Sequence, residues 1–112
     1  MIVSHDQTDL AKMRNEEEWV RTKFGSLVDT VSRILFERDP IGLNFGGNTD
    51  EYNPEAATIL MRIDQAATQE DLLRIIHEEF IRWFDAEIAG PESRYDQIAQ
   101  DVWSAYRRAV PA

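Results

Sequence analysis

The stretch Asp39-Pro40-Ile41-Gly42-Leu43-Asn44-Phe45-Gly46-Gly47-Asn48-Thr49-Asp50-Glu51-Tyr52-Asn53-Pro54-Glu55 decides how this chain is read. It is the one long segment without helical periodicity, and it gathers three of the five glycines and two of the four prolines. Apolar residues at helical spacing flank it on both sides, and no segment alternates convincingly with period two. The fold class that follows is all-α, with this stretch as a long connection.

Upstream, Leu10, Met13, Val20, Phe24, Leu27, Val28, Val31, Ile34 and Leu35 recur at spacings of three, four and seven. They predict a helix over about residues 8–38, or one broken near 14–18, where Glu16 and Glu17 interrupt the stripe. Residues 1–5 read as a loose N-terminus. Gly25 lies on the polar side of the pattern, at a cost of about 1 kcal/mol relative to Ala. Leu10 and Met13 belong either to a frayed first turn or to a homodimer contact. Trp19 and Phe36 fall off the stripe; each is an interface anchor or packs on a neighbouring element.

The helix is expected to stop at Arg38, because a residue before proline is driven out of the helical region. Gly42 is free to turn left-handed, and Leu43 and Phe45 would pin the loop. Downstream, Asn53 as cap, Pro54 as first helical residue and Glu55 in the first turn open a second helix through Ala67. Thr68-Gln69-Glu70-Asp71 is close to a capping box and opens a third. Its apolar face of Leu72, Leu73, Ile76, Phe80, Trp83 and Phe84 is broad enough to make it central. Gly90-Pro91 ends that helix and starts a fourth, whose arc holds Tyr95, Ile98, Ala99, Val102, Trp103 and Tyr106. The expected architecture is a single domain over 1–112: a four-helix, mostly antiparallel bundle with a long loop, 39–53, between helices 1 and 2. Loops of that length are often functional or unusually well packed.

Composition narrows the function. The chain has 112 residues, enough for one core, and a net charge of −9. Residues 1–53 hold ten acids against six bases, and residues 54–112 eleven against six, so no basic stripe exists for nucleic acid. The absence of cysteine excludes disulfides, thiol nucleophiles and Cys-based zinc sites. With no signal-peptide pattern and no apolar run of spanning length, the expected location is cytoplasmic, away from membranes.

The loop carries the candidate chemistry. Asp39, Asp50, Glu51 and Tyr52 are the candidate binding residues, acids beside one aromatic. Asp and Asn here also have a local use, bonding to backbone amides that irregular loops leave unpaired. Counting Asn44 as position 1 gives a poor calcium loop, with Thr49 where glycine is wanted and Pro54 at position 11; no metal and no cofactor are expected. Asp39 paired with Asp50 or Glu55 would suit a metal-dependent hydrolase. No nucleophile elbow, phosphate-cradling loop or His-Glu-x-x-His pair supports an enzyme. His77, at the edge of the third helix's apolar face, reads as half-buried and bonded to a neighbour, with a general base as the alternative. Glu87 is in register with Phe80, Trp83 and Phe84, so either the helix frays before it or the carboxylate is buried and paired.

Asp39-Pro40-Ile41-Gly42 followed by Asp50-Glu51-Tyr52-Asn53-Pro54-Glu55, with an apolar helix on each side, resembles the YugE-like family of small bacterial helical proteins. The likeness spans about residues 28–85, and Arg38 stands where that family often has tryptophan. The resemblance implies a small helical fold, carries over no catalytic residue, and leaves open a relation to toxin-immunity proteins. The functional expectation is a small acidic non-enzymatic protein-interaction domain with an unidentified, basic protein partner. Its narrower form is an immunity protein that binds a basic toxin, and its rival is the metal-dependent hydrolase.

Overall fold

A computed structural model describes residues 15, 17–42 and 52–109, and among them every regular element is helical. Helix α1 covers residues 17–24. It is followed by α2 (Leu27–Arg38), α3 (Asn53–Arg62), a 3-10 turn at Ile63–Gln65, and α4 (Gln69–Phe84). The short α5 (Ala86–Ala89), a second 3-10 turn at Glu92–Tyr95 and α6 (Asp96–Ala109) complete the order.

The first helical pattern is broken at Gly25; Glu16, in the expected interruption near 14–18, lies outside the described residues. Gly25 has φ +61°, and its N–H still donates to Arg21 O at 2.9 Å. A left-handed residue closes one helix, and glycine alone adopts it without steric cost. The apolar spacing runs through the break unchanged, which is why periodicity alone hid it.

The third pattern also ends earlier than expected. α4 stops at Phe84, because Asp85 takes φ 91°. The Asp85 carboxylate then accepts the Ile88 N–H at 2.8 Å and starts α5. A positive φ in a non-glycine residue is uncommon, and the cap bond offsets part of its cost. Glu87, in α5, is exposed, so the buried-pair reading of it does not hold.

The other termini follow the sequence closely. α3 is capped by Tyr52, one residue before the expected cap. The α4 capping box forms as expected: Asp71 N–H donates to Thr68 Oγ1 at 3.1 Å, and Thr68 N–H to Asp71 Oδ2 at 3.1 Å. These amide bonds, led by the one from Ala67 N–H at 2.9 Å, hold the Asp71 carboxyl below its ordinary pKa.

α4 is the central element, packed against α3, α5, α6 and both 3-10 turns, while α2 packs on α3 and α6. Buried Val20, Val31, Leu35, Ile59, Leu72, Ile76, Phe80 and Val102 belong to one apolar cluster. Removing such side chains from water supplies the main drive to fold. A run of rings crosses it, with centroids 6.1 Å apart for Tyr52–Phe80 and 5.0 Å for Phe80–Tyr95. Leu10, Met13, Leu43 and Phe45 lie outside the described residues.

Candidate functional site

The end of α2 and the start of α3 meet in a layer of polar side chains. Asp39 cannot continue the helix before Pro40, and it settles at φ 46°, ψ 59°, with its N–H on Leu35 O at 2.7 Å. Its Oδ1 accepts the Tyr52 hydroxyl at 2.8 Å. The Ser32 hydroxyl donates to Asn53 Oδ1 at 2.6 Å. Two side-chain bonds therefore tie α2 to the residues that open α3. The second 3-10 turn reaches the residues after α2: Arg94 Nη1 donates to Pro40 O at 3.2 Å, and also to the Ile88 and Ala89 carbonyls.

Two of the four candidate binding residues are thus brought together, Asp39 and Tyr52. Tyr52 is fully buried, its ring against Phe80; a buried phenol needs a partner for its hydroxyl, and Asp39 supplies it. Asp39 itself is half-buried. Asp50 and Glu51 lie outside the described residues, as do Asn44 and Asn48 of the calcium-like spacing.

Glu55, in the first turn of α3, is only 4% exposed, and its Oε1 has no hydrogen-bond partner. Burial disfavours its charged form, its own backbone N–H works the other way, and the Glu17 carboxylate on α1 adds repulsion; the net effect pushes the Glu55 pKa up to about 7. The carbonyl of Glu55 accepts the Thr58 hydroxyl at 3.2 Å, and Thr58 Oγ1 in turn accepts the Trp83 indole N–H at 3.1 Å.

Glu79 on α4 is a second buried carboxylate, with no exposure at all. Its Oε2 receives Arg62 Nη1 at 2.9 Å and Arg82 Nη1 at 3.2 Å. Arg62 also reaches Glu78 at 2.8 Å. Burial opposes the charge on Arg62, but its bonds to Glu78 and Glu79 outweigh that and raise its pKa. Sequence reasoning missed Glu79 and Ser32. The signal for Glu79 was present: it falls four residues after Ile75 and three after Ile76, an acid on the buried stripe.

His77 is half-buried, with Nε2 at 2.8 Å from Gly90 O and its ring 5.6 Å from that of Tyr95. This is the bonded-neighbour reading of it. Trp19 is 48% exposed, while Phe36 is partly buried and packs on the core. A surface groove of about 290 Å³ lies between the first turns of α4 and α6, walled by Gln69, Glu70, Asp96, Gln97 and Gln100 over Leu73. Among the described residues, no group of three or more His, Cys, Asp or Glu side chains could hold a metal, and no helix is long and apolar enough to cross a membrane. No family model matches the chain, and comparison with curated proteins and with solved structures finds no similar protein.

Proposed function

We propose that this chain is a small acidic, non-enzymatic interaction domain that presents the segment after Asp39 to a basic protein partner in the cytoplasm. The observation that carries the reading is the Asp39–Tyr52 hydrogen bond. It joins Asp39, at the end of α2, to the buried Tyr52, at the start of α3, and so fixes the two described flanks of the longest connection relative to each other. A tethered loop loses less entropy on binding than a free one. Net charge of −9 supports a basic partner, because opposite fields speed encounter and suppress wrong pairings. The finer fold reading belongs to the same proposal: four long helical segments, mostly antiparallel, with the loop at one end. A basic toxin neutralised by this domain is the narrower version.

Affinity capture from lysate at low salt, followed by titration of the recovered protein, tests it. The expected partner is basic and binds about tenfold more weakly when salt rises well above physiological. The double substitution Asp50→Asn/Glu51→Gln is expected to weaken binding with helicity unchanged by circular dichroism. A partner whose affinity ignores both salt and the double substitution would overturn the assignment of the loop.

A further inference from the structure

We infer that Arg94 is the positioning residue of the proposed binding segment: it crosses the space that a side chain at Gly90 would fill and fixes the direction in which the chain leaves α2. The inference rests on the reading of that segment as the binding surface. It is carried by three consecutive residues, Arg38, Asp39 and Pro40, each bonded to a different part of the fold. Arg38 donates to Asp101 Oδ2 on α6, through Nε at 3.2 Å and Nη2 at 3.0 Å. Asp39 accepts the Tyr52 hydroxyl at the start of α3. Pro40 is held by its carbonyl oxygen, which accepts from Arg94 Nη1 at 3.2 Å.

The first two bonds fix side chains, whereas the third acts on the backbone. The proline ring sets φ at Pro40, so ψ is the one soft angle left there. A donor placed on the Pro40 carbonyl sets that angle, and with it the course of Ile41 and Gly42. Gly42 then turns left-handed at φ 77°, with its N–H on Asp39 O at 3.3 Å.

Arg94 can direct the chain because its own base is fixed. Its N–H closes the second 3-10 turn on Pro91 O at 3.0 Å. Its Nη1 also reaches the Ile88 and Ala89 carbonyls, both at 3.1 Å. The corner that carries them is held from the core side: the Tyr95 hydroxyl donates to Ala89 O at 2.6 Å, and His77 Nε2 meets Gly90 O at 2.8 Å. Gly90 gives the guanidinium its path. A Cβ there would lie 2.6 Å from Arg94 Cζ and 2.8 Å from Nη2, so a side chain would displace the group. Gly90 also takes φ 76°, ψ −166°, a region that is essentially glycine's alone. One missing side chain therefore serves both the turn and the arginine that crosses it.

Charge makes the test selective. Arg94→Gln removes a cation from a chain of net charge −9, so the field alone would draw a basic partner more strongly. Loss of positioning has the opposite sign, because a less ordered segment costs more to bind. Arg94 is exposed, so its replacement leaves the core intact. By NMR of the full chain, Arg94→Gln is expected to shift the Ile41 amide, which shares a peptide plane with the Pro40 carbonyl, and to leave the α4 signals in place. Exchange at the Gly42 amide is expected to rise about threefold or more. Arg94→Lys, which can still donate to Pro40 O, is expected to fall between. Gly90→Ala is expected to shift Ile41 in the wild-type background and not in the Arg94→Gln background, since it acts on Pro40 through the guanidinium. Toward the basic partner captured at low salt, Arg94→Gln is expected to bind about threefold more weakly. Unchanged Ile41 and Gly42 amides overturn the inference, and so does equal or tighter partner binding once those amides have moved. If no salt-sensitive partner is captured, the proposed function falls, while the amides still decide whether Arg94 sets the exit from α2.

Discussion

Glu55 on α3 and Glu79 on α4 are both buried carboxylates, and they solve the same problem in opposite ways. Glu79 keeps company with two guanidinium groups and sits in a fully enclosed position. Glu55 has no cation and a like charge nearby, and holds a proton up to about pH 7 instead. Removing a charge from water costs several kcal/mol unless a partner or a proton compensates. The pairing makes Glu79 a structural element that joins α4 to Arg62 of α3. The proton makes Glu55 conditional on pH.

The largest expected effect comes from stripping Glu79 of its buried partner. Arg62→Ala is expected to cost about 3 kcal/mol or more, because the remaining charge stays enclosed with only Arg82 beside it. Arg82→Ala, at a side chain that is 67% exposed, is expected to cost less than about 1 kcal/mol. Urea unfolding of both variants decides it; equal effects would mean that the two guanidiniums share Glu79 evenly and that burial of Arg62 adds nothing.

The second prediction separates the carboxylates by pH. Glu55 has its pKa raised on folding from an ordinary 4.5 to about 7. Between those values the native state binds the proton and the unfolded chain does not, so stability falls as pH rises, then stays level above about 7. The integrated loss is about 3 kcal/mol, at roughly 1.4 kcal/mol per unit. Asp71 runs the other way: its lowered pKa adds stability that is lost as pH falls through the acid range. The difference in unfolding free energy between wild type and Glu55→Gln isolates the first effect, and it should widen in favour of the variant from pH 5 to pH 7. A flat difference would show that Glu55 finds a cation or donor after all.

A smaller effect than that of Glu55 is expected at the loop base. Tyr52→Phe removes one hydrogen bond and keeps the buried ring, for a loss of about 1 kcal/mol. If the loss is near that size and any partner affinity drops with it, the Asp39–Tyr52 tie positions the loop as well as stabilising it.

The fold was legible where local chemistry decides. Asp39 before Pro40, Pro54 in the first turn of α3 and the Thr68–Asp71 capping box act through the backbone of a few adjacent residues; the structure places the first and the last as read and starts α3 one residue earlier, at Asn53. The breaks at Gly25 and Asp85 were not legible as breaks. Glycine inside an amphipathic pattern tolerates either a continuing helix or a left-handed stop, and an aspartate at φ 91° is held there by its own cap to Ile88 and by packing on either side. The candidate site was legible in part. Asp39 and Tyr52 were singled out as candidate binding residues, yet Tyr52 is in the core, where its ring packs against Phe80, twenty-eight residues away.

By itself, then, the sequence determined the helical character of the described residues, the stop at Arg38, the capping box of α4, the chain's acidity, and a central α4. Those properties depend on neighbours one to four positions apart, or on composition alone. Only the tertiary structure decided which polar groups go inside. Ser32 is buried through Asn53, Glu79 through Arg62, and Glu55 with the proton it keeps. Burial of a charge depends on what distant elements bring to it, and a carboxylate with arginine, a carboxylate with a proton and a carboxylate in water are spelled with the same letter.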